Sequence, residues 1–194
     1  ILKAMRRKYT HDSYMELIRK LRDACPGIGL STDVIVGFPG ETEDDFEQTM
    51  ELVDEVGYQQ VFTFIYSRRA GTPAAEMKDD TPQSVIHERF ERLTDLVQRK
   101  AYEANQADAN TDVDVLVEDV SKRDARMLSG KSPKNQTVHA MIPDGLTIEQ
   151  LRGNVIPIHI DEAKTWYLSG YVIEDELDPS SLTDYASCAA RLLP

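Results

Sequence analysis

The chain has 194 residues, of which 41% are hydrophobic and 29% are charged. This composition supports a folded core and excludes wholesale disorder, and the length suffices for one large domain or two small ones. The formal net charge of −12 argues against indiscriminate nucleic-acid binding, because phosphate attraction normally requires a surplus of cations. The longest apolar runs fall far short of the roughly 18 residues that a membrane span needs, and no apolar signal segment follows the basic N-terminal residues. We therefore expect a cytoplasmic protein with no membrane partner.

The first hundred residues alternate helical and strand patterns. Thr10 is the predicted N-cap of a helix that ends at Pro26–Gly27 and whose apolar stripe is Tyr14, Leu17, Ile18 and Leu21. Residues 28–36 are predicted to form a strand. Its final apolar run, Val34 to Val36, is typical of a strand that is covered on both faces.

A second helix and a second strand follow. Gly37, Pro39 and Gly40 predict a turn, and residues 42–45 form a capping-box pattern for a helix that ends at Gly57 and buries Phe46, Met50, Val53 and Val56. Residues 60–66 are rich in β-branched and aromatic side chains and are predicted to form a strand. A loop over residues 71–73 comes next.

Thr81 as N-cap and Pro82 as the first helical residue predict a long helix that fades near Ala104, with the stripe Val85/Ile86, Phe90, Leu93 and Val97. The order helix–strand–helix–strand–helix predicts parallel βα units with right-handed crossovers. Because a typical sheet has about 4–6 strands, two strands indicate that the first domain, residues 1–104, is part of something larger.

The pattern changes beyond residues 103–111, which are polar and lack large apolar side chains, so we predict a domain boundary there. Val113, Val115 and Val117 alternate with polar residues, and similar patterns recur at 138–142, 155–160 and 166–172. About five short strands in roughly 65 residues predict a small β-barrel, of a kind that often presents a nucleic-acid-binding face. The fold class is therefore α/β followed by all-β, and the tail, residues 175–194, has no predicted role.

Two strand ends carry candidate site residues. The predicted strand that contains Asp33 and Ile35 ends at Gly37 in a glycine-bearing turn, and the carboxyl edge of parallel strands is where α/β folds bind ligands. A tight turn without a ligand explains the same residues. Arg68 and Arg69 follow the second strand, where they either bind phosphate or carboxylate groups or form a solvated loop.

A basic island lies within the acidic second half: Lys122, Arg123, Arg126, Lys131 and Lys134, with Asp124 as the only carboxylate among them. It predicts either an RNA-backbone contact or a solvated hairpin loop. The four histidines are scattered and predict no metal site, and the acidic residues 41–45 are interpreted as helix-dipole compensation. Cys25 is expected to be a core thiol.

Four stretches together resemble the radical S-adenosylmethionine methylthiotransferases, and most closely their tRNA-modifying branch: residues 2–10, 32–42, 62–75 and 88–93. Residues 111–174 are similar to the TRAM module, a small β-barrel thought to bind tRNA, through residues 115–118, 128–131 and 168–170. The resemblance implies the C-terminal part of a radical (β/α) partial barrel followed by a TRAM-type β-barrel.

The resemblance also implies the cofactors, which are S-adenosylmethionine and two 4Fe–4S clusters in the full-length protein. Clusters need thiolates, and Cys25 and Cys188 cannot supply a CxxxCxxC triad. The ligands are therefore expected before Ile1, and the fragment alone is expected to be inactive, with no catalytic residue or metal ligand of its own. In this family the end of the first strand lies near S-adenosylmethionine, which implies that Asp33, Ile35, Gly37 and Tyr66 bind the cofactor.

The resemblance implies that the full-length enzyme adds a methylthio group to C2 of N6-isopentenyladenosine beside the tRNA anticodon. Arg6, Arg68 and Arg69 are then expected to contact the RNA, together with the basic island. An RNA substrate suits arginines, whereas the branch that modifies a ribosomal-protein aspartate tends to carry acidic residues after its Tyr-Ser.

Three alternatives remain at this point: a non-catalytic RNA-binding module, a methylthiotransferase acting on threonylcarbamoyl-adenosine in tRNA, and one acting on a ribosomal protein. The sequence leaves the sulfur donor open, and we expect a monomer.

Overall fold

A computed structural model describes residues 1–79, 81–177 and 182, so Cys188 and most of the tail lie outside the described residues. The chain divides into two compact units, Ile1–Ala101 and Tyr102–Pro194. No helix within the described ranges combines the length and the apolar character that a membrane crossing requires.

The first unit alternates helices and strands in the predicted order. Its elements are α1 (His11–Ala24), β1 (Ser31–Val36), α2 (Glu43–Val56), β2 (Gln60–Ile65), the single-turn α3 (Pro73–Glu76) and α4 (Gln83–Gln106), whose last turn belongs to the second unit. Thr10 and Thr42 cap α1 and α2 with reciprocal capping boxes, and Gly57 ends α2 with a left-handed φ of 57°. These three predicted boundaries are confirmed.

β1 and β2 pair in parallel, from Ser31 opposite Gln60 to Val36 opposite Ile65. The core of this unit is built from one face of α1, α2 and α4 together with β1 and β2; its fully or nearly fully buried members include Ile18, Val36, Phe46, Val53, Val56, Leu93 and Val97. Met15 is buried, whereas Leu17 is 52% exposed. The predicted stripe of α1 was therefore wrong at Leu17, because the buried side of the helix runs through Met15 and Ile18.

Five further expectations differ from the structure. β1 begins at Ser31, three residues later than predicted. One face of β1 is open, as the 41% exposure of Ile35 shows, although the apolar run predicted that both faces are covered. The loop after β2 contains α3, which Thr72 caps by accepting a hydrogen bond from the Ala75 N–H. α4 begins at Gln83, one residue after Pro82, whose carbonyl accepts hydrogen bonds from the first turn. Cys25 is exposed because it lies at the end of α1.

The second unit contains a closed five-stranded barrel in the order β3-β4-β5-β7-β6. Its elements are β3 (Asp112–Val120), β4 (Met127–Lys131), β5 (Thr137–Met141), the single-turn α5 (Ile148–Leu151), β6 (Val155–Ala163), β7 (Leu168–Val172) and a short 3-10 helix at Glu174–Glu176. All pairs are antiparallel except β5 with β7. The predicted small all-β barrel is confirmed.

Alternation along each strand fills the barrel interior with aliphatic side chains: Val115, Val117, Leu128, Val138, Ala140, Ile156, Ile158, Ile160 and Leu168 are each at most 1% exposed. Two glycines allow neighbouring strands to approach closely. A Cβ on Gly130 would lie 2.4 Å from the Leu116 carbonyl oxygen, and one on Gly170 would lie 1.8 Å from that of His159. The Ser-Gly pairs at 129–130 and 169–170 therefore have a packing reason.

The polar residues 103–111 belong to the second unit, where they hydrogen-bond to the barrel. Asn105 Nδ2 donates to the carbonyl oxygens of Lys164 and Thr165 at 2.7 and 3.1 Å. Asp108 accepts hydrogen bonds from Gln136 Nε2 at 2.7 Å and from Lys134 Nζ at 2.6 Å. The segment lacks large apolar residues because amide and carboxylate groups make its contacts with the barrel.

Candidate cofactor edge and nucleic-acid interface

The carboxyl ends of β1 and β2 lie side by side. Gly37 follows β1, Tyr66 follows β2, and the Tyr66 N–H donates to the Val36 carbonyl oxygen at 2.8 Å, which extends the ladder by one bond. Phe38 and Tyr66 then make an edge-to-face ring contact with centroids 5.3 Å apart. The parallel pairing thus brings the two predicted cofactor-binding strand ends together.

One face of this two-stranded sheet is open. Asp33 lies opposite Phe62 and Ile35 opposite Phe64, so these four side chains share a face. Asp33 is exposed, and the three apolar side chains are 41% (Ile35), 46% (Phe62) and 51% (Phe64) exposed. Gly37 and Tyr66 continue the same two rows at the strand ends, so the predicted cofactor residues all border one apolar surface.

Gly37 needs to be glycine for two reasons. Its φ of 73° lies in the left-handed region, and a Cβ there would be 2.8 Å from Cγ2 of Ile86. Its N–H donates to Oε2 of Glu41 at 2.9 Å. The turn between β1 and α2 is therefore held by a side chain four residues farther along the chain.

Tyr66 carries a hydroxyl that is buried and has no hydrogen-bond partner among the described residues. A buried polar group without a partner costs on the order of 1–3 kcal/mol. The Tyr66 hydroxyl therefore has hydrogen-bonding capacity that no described residue uses.

A network of charges lies behind this edge. Arg89 is 4% exposed, and its guanidinium donates to Oε2 of Glu41 at 3.2 Å and to Oε2 of Glu43 at 2.8 Å. Arg92 binds Glu43 at 2.7 Å and also Glu47, and its guanidinium lies over the Phe46 ring. Burial raises the pKa of the Glu41 carboxyl, although the Gly37 N–H and Arg89 act in the opposite direction.

Sequence reasoning missed Glu41 and Arg89 as positioning residues. Glu41 was grouped with the carboxylates of the helix N-terminus, but its side chain points back to Gly37 instead. The signal was Arg89, a charged residue within the apolar stripe of α4 between Ile86 and Leu93. A cation at that spacing requires a buried anion to pair with it.

The three arginines of the first unit that were predicted to contact RNA, Arg6, Arg68 and Arg69, are exposed. Arg68 and Arg69 come directly after the Tyr66–Ser67 strand end, and Arg68 Nη2 lies 3.4 Å from the Met77 carbonyl oxygen. Arg6 occupies an N-terminal turn with a φ of 59°. Nothing in the described contacts brings Arg6 to the other two.

The basic island is divided by β4. Lys122, Arg123 and Arg126 lie in or beside the β3–β4 connection, whereas Lys131 and Lys134 lie at the other end of the strand. Arg126 binds Asp124 through two nitrogens, at 3.1 and 2.7 Å. Two of the five cations, Arg126 and Lys134, therefore already have carboxylate partners, Asp124 and Asp108.

No group of three or more metal-ligating side chains occurs among the residues that the structure describes. His11 contacts its neighbour Asp12, and His87 contacts the Gln83 carbonyl within α4. His139 and His159 lie on the barrel, where each contacts a tyrosine ring.

Comparison with known proteins identifies the family. The Radical SAM superfamily model matches residues 1–53. A curated relative from Oceanobacillus iheyensis, named tRNA-2-methylthio-N(6)-dimethylallyladenosine synthase, is 46% identical over 178 residues, which is 92% of this chain and 33% of the relative. By its sequence, this chain belongs to the radical S-adenosylmethionine methylthiotransferases.

Further members of this methylthiotransferase family carry the same name. The relative from Alkaliphilus oremlandii is 45% identical over 175 residues, covering 90% of this chain and 36% of its own length. The relative from Bacillus anthracis is 44% identical over 178 residues, covering 92% and 34%. The chain thus spans about a third of the length of the curated methylthiotransferases that it matches.

Proposed function

We propose that this chain is part of an enzyme that adds a methylthio group to C2 of N6-isopentenyladenosine beside the anticodon of tRNA. The observation that carries the proposal is the 43–46% identity, over nine tenths of this chain, to relatives named for that product. The arginines after β2 favour an RNA substrate over an acidic protein segment. Such a reaction belongs in the cytoplasm, where tRNA is modified.

S-adenosylmethionine fits the β1–β2 edge. The open face of Ile35, Phe62 and Phe64 offers apolar surface to the adenine ring, and the buried Tyr66 hydroxyl lacks a partner that a polar atom of the cofactor would supply. Asp33 provides a carboxylate on the same face, and Gly37 lets a ligand approach the backbone. When bound, S-adenosylmethionine supplies the methyl group and the radical chemistry of the reaction. The role of these residues is to bind and orient it.

The described residues do not fit an iron–sulfur cluster. Cys25 is the only cysteine among them, and no three-ligand group surrounds it. We propose that the whole protein holds its two clusters with ligands outside this chain. The residues of the chain would then contribute cofactor and substrate binding.

The proposed function is tested by identifying which modified nucleoside disappears from tRNA when the gene is deleted. Deleting the gene for the whole protein is expected to abolish the 2-methylthio form of N6-isopentenyladenosine in tRNA digests analysed by mass spectrometry, and the intact gene is expected to restore it. Loss of the methylthio form of threonylcarbamoyl-adenosine, or of a modified ribosomal-protein aspartate, would instead assign one of the other two branches. No change in any of the three would contradict a methylthiotransferase.

The test of the cofactor edge is Tyr66→Phe in the whole protein, with Tyr102→Phe as the control because Tyr102 is 47% exposed. Losing one hydrogen bond to bound S-adenosylmethionine is expected to raise its Kd by about 2–12-fold, which corresponds to about 0.5–1.5 kcal/mol. Equilibrium dialysis with labelled S-adenosylmethionine measures the Kd. Equal affinities for the two variants would remove Tyr66 from the site.

A further inference from the structure

The outer surface of the barrel is divided by charge. Outward positions on β3 and β6, which we name the β3–β6 face, carry six carboxylates and no Lys or Arg: Asp112, Asp114, Leu116, Glu118, Asp119, Val155, Pro157, His159, Asp161 and Glu162. Asp119 and Glu162, opposite Ser129 and Ser169, are neutralised by ion pairs with Arg152 and Lys164. Outward positions on β4 and β5, the β4–β5 face, carry one lysine and no carboxylate: Met127, Ser129, Lys131, Thr137, His139 and Met141. The net charge of −12 is therefore not spread evenly over the barrel.

An aromatic pair lies at the middle of the β4–β5 face. His139 is opposite Ser129 on β4 and Ser169 on β7, and its ring meets that of Tyr167 with centroids 5.5 Å apart. Both side chains are half-buried, so each is held in place while keeping part of its ring accessible. A held ring flanked by serine hydroxyls is suited to stacking with a nucleobase and to hydrogen-bonding its edge.

Cations stand at both ends of this face. Lys131, opposite Thr137, donates one Nζ hydrogen to the Thr137 hydroxyl at 3.0 Å and forms no ion pair with any described carboxylate. Two Nζ protons remain for a phosphate. At the other end, beside Met127, lie Lys122 and Arg123, whose side chains likewise have no carboxylate partner in the described part of the chain. The two ends are about 13 Å apart along β4.

We infer that the β4–β5 face, with Tyr167, is the surface of the barrel that binds single-stranded RNA, its bases on His139 and Tyr167 and its phosphates on Lys131 and the Lys122–Arg123 loop. This inference rests on the proposed function and specifies which face of the barrel, and which two rings on it, contact the tRNA. Charge complementarity selects RNA as the occupant, because the two ends of this face carry three cations without a described carboxylate partner, Lys131, Lys122 and Arg123, on either side of a stacking ring. The β3–β6 face is excluded because its carboxylates repel phosphate.

The chain supplies a matched pair of variants. His159, like His139, points outward and contacts a tyrosine ring, with centroids 5.1 Å apart, but it lies on the β3–β6 face and binds Asp112 at 2.6 Å. His139→Ala in the whole protein is expected to weaken binding of tRNA from the deletion strain by roughly tenfold, the effect of losing one stacked base. His159→Ala is expected to leave it within about twofold. Electrophoretic mobility shift at several salt concentrations gives both affinities.

Lys131→Gln provides an independent measurement on the same face. It is expected to reduce the slope of log affinity against log salt by about 0.7–0.9, the contribution of one phosphate contact, whereas His139→Ala leaves the slope unchanged. Circular dichroism melting of each variant identifies any that fails to fold, and the outward position of all three residues makes retention of the fold the expected result.

The outcomes separate the two proposals. Equal affinities for His139→Ala and His159→Ala, with an unchanged slope for Lys131→Gln, would overturn the β4–β5 assignment even if the wild-type enzyme makes the methylthio product. A wild-type protein that neither binds this tRNA nor restores the methylthio nucleoside would overturn the proposed function itself.

Discussion

Arg89 and Glu41, 48 positions apart in the sequence, form an ion pair of 3.2 Å in which each side chain is only 5% exposed. The same Glu41 oxygen accepts the Gly37 N–H, so a residue in α4 fixes the geometry of the turn that ends β1. The buried ion pair and the turn after β1 therefore stabilise each other through the same carboxylate oxygen. Because Glu41 holds the turn after β1, loss of the pair is expected to lower stability and to disturb the proposed cofactor edge.

Arg89→Leu is expected to destabilise the first unit by about 3–5 kcal/mol, because it leaves the Glu41 carboxylate buried without its cation. Hydrogen–deuterium exchange of peptides from α2 and α4 in the whole protein measures this loss locally. Arg92→Leu is the control: its side chain is 35% exposed, so a smaller loss is expected. Equal losses for both variants would show that burial of the Arg89–Glu41 pair is not the cause.

Gly37→Ala and Gly57→Ala separate two reasons for a glycine: a left-handed backbone conformation and the lack of space for a Cβ. Both glycines have left-handed φ values, 73° and 57°, but a Cβ on Gly57 meets nothing within 4 Å, whereas one on Gly37 meets Ile86. Gly57→Ala is expected to cost about 1–2 kcal/mol from backbone strain alone. Gly37→Ala is expected to cost more, because the contact with Ile86 adds to the backbone strain. Adding Ile86→Ala to Gly37→Ala is expected to recover only the part of the cost that comes from this contact, because the backbone strain remains. Unfolding by urea measures each variant; equal costs for the two single substitutions would contradict the contact.

The sequence predicted the order of elements well because their ends are encoded locally. Thr10, Thr42 and Gly57 act through groups within four residues, so a linear pattern reveals them. Four of the five barrel strands, β3, β5, β6 and β7, followed from period-2 alternation, and turn glycines such as Gly145 and Gly153 separate them, whereas β4 was counted but not located. Local sequence signals were therefore sufficient to predict these helix ends and these strands.

What could not be predicted depends on partners that are distant in the sequence. Ile35 lies in an apolar run but remains exposed, because a sheet face is covered only when another element packs on it. The segment 103–111 was predicted to be a domain boundary, and its polar side chains gave no sign of the contacts that they make with residues 134–136 and 163–165. Arg126 and Lys134 counted as free cations until the structure placed Asp124 and Asp108 beside them.

Asp108→Ala is expected to destabilise the barrel by about 1–3 kcal/mol, because it leaves the buried Gln136 amide without one of its acceptors and Lys134 without its ion pair. Asp144→Ala, at an exposed position, removes the same charge and is expected to have little effect. Thermal unfolding followed by the fluorescence of Trp166, the only tryptophan of the chain, reports on the barrel. A comparable shift in Tm for both variants would show that net charge, not the hydrogen-bond network, sets the stability.

Asp124 is expected to titrate at unusually low pH. Hydrogen bonds from the Arg126 side chain and backbone lower the pKa of its carboxyl to about 2, from an ordinary value of 3.8. Because the folded pKa is depressed, the stabilisation from this pair is present above pH 3.8 and is lost as pH falls through about 2. NMR titration of the carboxyl carbon measures the midpoint. Arg126→Gln is expected to raise it toward 3.8, and an unchanged midpoint would contradict the pair.

Asp124 also limits what Arg126 can do for RNA. While the guanidinium binds Asp124 through two nitrogens, it is less available to a phosphate at the end of the β4–β5 face. Asp124→Asn is therefore expected to tighten tRNA binding by about two- to threefold and to increase the salt slope by about 0.7–0.9. Asp144→Asn changes the net charge equally but frees no arginine, so its affinity and slope are expected to stay near those of the wild type. Equal gains for both variants would mean that long-range charge alone governs binding, because only Asp124→Asn releases a cation at this face.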